Sequence, residues 1–109
     1  MSSAVHGSCL CEGIKIDVKG EPLRAFICHC FQCKKAAGGP YQTNVIFNSS
    51  DLEINDSQGH LKTYRVTDTD SGKVNIRLFC GNCGCTIAIR KEYDNGARTL
   101  IKSGILNGG

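Results

Sequence analysis

The sequence contains no tryptophan and only seven aromatic residues, four Phe and three Tyr, in a chain of 109. A chain of this length has room for one domain, taken as residues 1–109, and buries a smaller share of its surface than a longer one does. With so few rings its apolar core gives little stability alone. Domains of this size make up the difference with a disulfide, a metal ion or a partner chain. Long apolar runs are missing as well: none approaches the roughly 20 residues that cross a bilayer as a helix. Met1 to Ser8 lack the basic start and apolar stretch of an export signal. The expected compartment is therefore the cytoplasm, where thiols stay reduced. No linker, low-complexity tract or internal repeat interrupts the chain, and no segment shows a sustained helical period.

Cysteine is what the sequence has in excess. Its eight cysteines are grouped as Cys9/Cys11, Cys28/Cys30/Cys33 and Cys80/Cys83/Cys85. Close groups of thiols in a reducing compartment chelate metal, whereas disulfide frameworks spread their cysteines apart. Zinc is the expected ion.

Period-two alternation of apolar and polar residues marks strands. Ile14, Ile16 and Val18 alternate with Lys15 and Asp17, and similar stretches run through residues 23–27, 41–47, 61–66, 74–79, 86–90 and 99–102. Turn residues separate them: Gly20-Glu21-Pro22, Gly38-Gly39-Pro40, Asn48 to Asp51, Asp68 to Gly72 and Asp94-Asn95-Gly96. This pattern predicts an all-β fold of short strands, stapled by zinc, with a frayed end at Asn107-Gly108-Gly109.

Cys80-Gly81-Asn82-Cys83-Gly84 reads as a zinc knuckle, with glycines at 81 and 84 free to take a positive φ. A closed tetrahedral site needs two more ligands. Cys9-Leu10-Cys11 supplies them if the segment is extended, since residues i and i+2 then face the same way. Cys9, Cys11, Cys80 and Cys83 thus form one structural site, whose formation drives folding.

Cys28-His29-Cys30-Phe31-Gln32-Cys33 brings three thiolates into six residues. Three protein ligands leave a fourth position for water or substrate, the mark of a catalytic rather than a structural ion. Two arrangements fit the spacing. Either Cys28, Cys30 and Cys33 hold a second, open zinc, or Cys85 closes that site as a fourth ligand and both sites are structural; His29 is another possible ligand, although alternation points it away from the sulfurs. The formal charge of +3 does not argue for nucleic acid. Seven thiolates around two dications would bring it to about zero, the basic residues are scattered, and Lys34-Lys35 is too short for a polybasic arm.

The blocks Gly7-Ser8-Cys9-Leu10-Cys11-Glu12-Gly13, Cys28-His29-Cys30-Phe31-Gln32-Cys33-Lys34-Lys35 and Phe79-Cys80-Gly81-Asn82-Cys83-Gly84 resemble the signature blocks of the glutathione-dependent formaldehyde-activating enzyme family, which includes centromere protein V. The resemblance runs from about residue 7 to residue 104. It implies a β-tent-like fold of antiparallel strands and a structural zinc on Cys9, Cys11, Cys80 and Cys83. It also implies a catalytic zinc on Cys28, Cys30 and Cys33, and a carbon–sulfur lyase activity on a small thiol such as glutathione and a carbonyl compound. Cys85 stands where the family more often has a small hydroxyl residue. The chain is short for the family, so part of a substrate wall is either absent or supplied by a second copy in a homo-oligomer. Two other readings remain alongside the lyase: a non-catalytic zinc scaffold for a protein partner, and chemistry on a different thiol conjugate.

Gln32, Lys34, Lys35 and Tyr41 flank the proposed open site in sequence. His6 and His60 are expected in loops, and Asp68, Asp70 and Asp94 in turns. None of them is singled out as a catalytic acid or base.

Overall fold

The structure, a computed structural model, describes residues 5–67, 72–92 and 94–106. Asp68, Asp70 and the expected frayed end, Asn107-Gly108-Gly109, lie outside the described residues. In chain order the elements are β1 (Val5–Ser8), β2 (Lys15–Val18), β3 (Arg24–Cys28), a helix α1 (Phe31–Ala37), β4 (Gln42–Asn48), β5 (Leu52–Asn55), β6 (Leu61–Val66), β7 (Asn75–Cys80), β8 (Thr86–Lys91) and β9 (Arg98–Lys102). Short 3-10 turns occupy Ser49–Asp51 and Ser103–Ile105.

All strand pairs are antiparallel. They form a three-stranded sheet, β1-β2-β5, and a six-stranded sheet, β3-β4-β9-β8-β7-β6. The fold class is therefore all-β, as the alternation predicts. Two strands and the helix were not legible. β1, Val5-His6-Gly7-Ser8, has a single apolar branched residue, and it places His6 in a strand, not in a loop, with its ring bonded to Asp17 at 2.5 Å. β5 is only four residues long. The helix α1, Phe31-Gln-Cys-Lys-Lys-Ala-Ala, spans two turns, too few to display a 3.6-residue period even though most of its residues favour helix.

One-residue alternation divides the large sheet into two faces. Val45, Ile101, Ala88 and Leu78 are successive register partners across four strands, and this row packs into the core. Ile14, Ile16 and Val18 of the smaller layer meet it. The neighbouring register row, Arg24-Ile46-Leu100-Ile89-Arg77-Tyr64, projects from the opposite face. Between Leu78 and Phe79 the register with β8 shifts, leaving Ile87 as an extra residue. Such a bulge re-aims side chains, and here Ile87, Ala88 and Ile89 are all buried in succession.

Ile101 is fully buried in the shared core. Ile101→Ala is expected to cost about 2–5 kcal/mol from lost transfer energy and the cavity left behind. Chemical denaturation of the metal-loaded protein measures it, and a cost below about 1 kcal/mol would contradict this packing.

Candidate metal centres

Two groups of cysteines are drawn together, and within each group all the sulfurs lie within 4.8 Å of one another: Cys9, Cys11, Cys80 and Cys83, and separately Cys28, Cys30 and Cys33. All eight cysteines are free thiols. The Cys28–Cys30 separation of 3.3 Å is far beyond the ~2.05 Å of a disulfide.

In the first group, Cys9 follows β1 of the small sheet and Cys80 ends β7 of the large sheet, so four sulfurs join the two layers. The Cys9/Cys11 pair is gathered by a turn, not by the extended segment the sequence suggested. The Cys9 carbonyl accepts from the Glu12 N–H at 3.1 Å, and Glu12 itself sits at φ 61°. At the knuckle the Gly84 N–H donates to the Cys80 carbonyl at 2.8 Å, and the Cys83 N–H faces the Cys80 sulfur at 3.4 Å. Gly84 has the expected positive φ, 78°. Gly81 is needed for a different reason: a Cβ there would lie 2.8 Å from the Lys62 side chain and 3.1 Å from the His60 carbonyl oxygen.

The sulfurs of Cys9 and Cys11 are 3.6 Å apart, and those of Cys11 and Cys80 3.7 Å. A tetrahedral ion with bonds of about 2.3 Å to sulfur requires edges of about 3.8 Å, so the donor set is already near that geometry. As bare thiols Cys9, Cys11 and Cys83 differ widely. Burial pushes Cys9 up to about 11, while a main-chain hydrogen bond at Cys11 draws Cys83 down to about 6. The Asn82 side chain holds Cys11 below the usual thiol range. A divalent cation held by these four cysteines would displace the remaining protons, because thiolates and not thiols are its ligands.

The second group stands where a strand turns into a helix. Cys28 ends β3, Cys30 precedes α1, and Cys33 lies in the first turn of α1. Burial, followed by hydrogen bonds with Cys28 and Cys30, pushes Cys33 up to about 12, so without a cation this thiol stays protonated at neutral pH. The three cysteines border a cavity of about 200 Å³ on the outer face of the large sheet, with Phe26, Asn44 and Arg77 among its other walls. A neighbouring cavity of about 330 Å³ shares Phe26, Lys91 and Leu100 with it. Among the described residues the two cavities are lined by Arg24, Arg77, Lys91 and Arg98 and by no carboxylate. Gln32 and Arg77 each bring a buried nitrogen, Nε2 and Nε, that has no hydrogen-bond partner.

Cys85 belongs to neither sulfur group. Burial raises it above the usual thiol range, and the charges acting on it are those of Cys83, Cys80 and Cys11. Cys85→Ser is expected to leave the metal content at two ions per chain and to change stability by less than about 1 kcal/mol. Loss of one ion, measured by elemental analysis of the purified variant, would mean that Cys85 completes the second site.

Among the residues flanking the triad in sequence, Gln32 reaches the cavity. Lys34 and Lys35 are exposed on α1. Tyr41 holds its ring tilted at 53° to that of His29, with centroids 5.8 Å apart, and borders a different cavity. His60 sits near the first group, bonded to Gln58. Asn44, Arg77, Lys91 and Lys102 reach the region of the triad from distant strands. Their only sequence signal is a polar residue at a position whose parity places it on the same sheet face as apolar neighbours.

Soft, all-sulfur donor sets on a two-sheet β scaffold define the class: a small β protein equipped to bind metal ions through thiolates. Within that class the chain belongs to the glutathione-dependent formaldehyde-activating enzyme family, whose model matches residues 4–108. It is 26% identical over 91 residues to an "uncharacterized lyase" of Schizosaccharomyces pombe, covering 84% of this chain and 59% of that protein. The chain thus spans less than two thirds of that curated relative. A crystal structure of a Rhodobacter sphaeroides protein shares the fold, with a TM-score of 0.72 at 22% identity over 95% of this chain and 89% of the other. Among the described residues no helix is long and apolar enough to cross a membrane.

Proposed function

We propose that the protein is a zinc-dependent carbon–sulfur lyase that makes or breaks the adduct between a small thiol, glutathione or a related compound, and a small carbonyl compound. The observation that carries this reading is the three-sulfur group of Cys28, Cys30 and Cys33 bordering a cavity, with Cys85 outside it. Membership of the family and the name of the yeast relative support it.

Cys9, Cys11, Cys80 and Cys83 would hold a structural zinc, and Cys28, Cys30 and Cys33 a second one. The second ion supplies a fourth coordination position and the acidity that turns a thiol there into a thiolate. The chain's own residues do the remainder. Phe26 and Leu100 wall the cavity with apolar surface. The unpartnered donors of Gln32 and Arg77 are available to the substrate oxygen on which negative charge develops. In the forward direction the sulfur lone pair forms the C–S bond, the carbonyl π pair moves to oxygen, and the thiol's proton ends on that oxygen. The reverse reaction breaks the same bond.

Two-dimensional exchange NMR on glutathione and formaldehyde with the zinc-loaded protein tests the proposal. The expected result is adduct formation faster than in buffer, lost when Cys33 is replaced. No acceleration by fully loaded protein, across a panel of thiols and small aldehydes, would leave a non-catalytic zinc scaffold as the better account.

A further inference from the structure

Lys102 is the most deeply buried lysine among the described residues, at 5% exposure. It ends β9 directly opposite Asn44 of β4, which is itself buried, and its Nζ donates to the Asn44 Oδ1 at 2.5 Å. Among the described residues no carboxylate forms an ion pair with it. A buried ammonium is costly unless an anion compensates it. The anions available are sulfurs: Asn44 lines the same cavity as Cys28, Cys30 and Cys33, and the charges of all three cysteines act on Lys102.

A divalent ion on three thiolates carries one net negative charge, and one ammonium cancels it. We propose that Lys102, held by Asn44 beside the three-cysteine group, is the positioning cation of the second site, balancing the loaded triad and favouring an anionic fourth ligand. This rests on the reading of Cys28, Cys30 and Cys33 as metal ligands. Arg77, on the same sheet face, bears a second positive charge, so a thiolate added as the fourth ligand still meets a balanced environment. The first group, with exposed Cys11, has solvent for this purpose and needs no such residue. Burial, with the charge of Arg77, lowers Lys102 to about 8, while the charges of Cys33, Cys28 and Cys30 act in the opposite direction, toward the ammonium.

The test uses the full chain loaded with Co²⁺, whose thiolate charge-transfer bands report each site. Lys102→Met is expected to weaken cobalt binding at the second site about tenfold or more with no thiol present, and to leave the first site unchanged. It should also weaken uptake of 2-mercaptoethanol there by a similar factor while leaving uptake of neutral imidazole nearly unchanged. Lys102→Arg should restore most of both. Asn44→Asp, which pairs the lysine with a carboxylate, gives the same direction of change, and it decides the question if the Met variant fails to fold. Wild-type affinities in Lys102→Met or in Asn44→Asp would overturn the proposal, as would an equal loss of imidazole and thiol. If even the wild type takes up no thiol, the thiol-adduct reading fails, but the cobalt-affinity comparison still decides the role of Lys102.

Discussion

Cys80→Ser is expected to release one zinc ion per chain and to remove the cooperative unfolding transition or lower its midpoint by at least about 15 °C. Cys80 is fully buried at the end of β7, and its sulfur lies 3.7 Å from that of Cys11, beyond β1 in the other sheet. One ion at this point would join two sheets whose shared core has few aromatic side chains. Structural zinc sites contribute about 10–16 kcal/mol of apparent binding energy, and whole domains are stable by only about 5–15 kcal/mol. Losing even about 3 kcal/mol of that moves the midpoint of a 100-residue domain by about 12–24 °C. Circular dichroism during heating, with zinc counted by elemental analysis, checks both parts. A Cys80→Ser protein that keeps two ions and unfolds like the wild type would remove this group from the account. Chelator treatment of the unmodified protein should act in the same direction.

The second large effect is chemical. Cys33→Ser is expected to retain the first zinc and the fold, lose the second zinc, and reduce adduct formation by more than about 100-fold. Cys33 is the buried member of the triad, fixed in the first turn of α1. Without a cation, burial first and then the neighbouring Cys28 and Cys30 push the thiol up to about 12. A serine hydroxyl there is far less acidic than the thiol and a poor zinc ligand beside two thiolates. The structural cost should be small, since Cys28, Cys30 and Cys33 lie within one local strand-to-helix turn and cross-link no distant elements. Metal content, unfolding midpoint and exchange rate measured on one preparation separate the outcomes. Activity that survives with only one zinc bound would locate the chemistry elsewhere.

The contrast between these two variants follows from how each group is assembled, and that was only partly visible in the sequence. Period-two alternation located seven of the strands to within one or two residues, and in all of them but β3 one face meets the core. It could not locate β1, where Gly7 and Ser8 carry no pattern, nor α1, whose two turns are shorter than the signal that reveals a helix. The cysteine spacings foretold both sulfur groups, since chelation by close pairs is a local property. The extended geometry inferred for Cys9 and Cys11 was replaced by a turn, because Glu12 takes a left-handed conformation and the Cys9 carbonyl is capped by its N–H. What spacing could not supply was the wall around the triad. Asn44, Arg77 and Lys91 line it from three strands, with Lys102 opposite Asn44 on a fourth, and only the sheet register puts them on one face. Residues adjacent to the triad in sequence were poor guides, because the helix that follows Cys30 carries Lys34 and Lys35 out to solvent.

The difference between a closed and an open second site is the point on which the enzymatic reading turns. X-ray absorption at the zinc edge, combined with anomalous scattering from crystals of the fully loaded protein, measures it directly. The account predicts two ions per chain, one held by four sulfurs and one by three with a lighter fourth ligand, so about 3.5 sulfurs per zinc at about 2.3 Å, rising to four when a thiol is added. A single ion, or a second ion already bound to four protein sulfurs including Cys85, would contradict it.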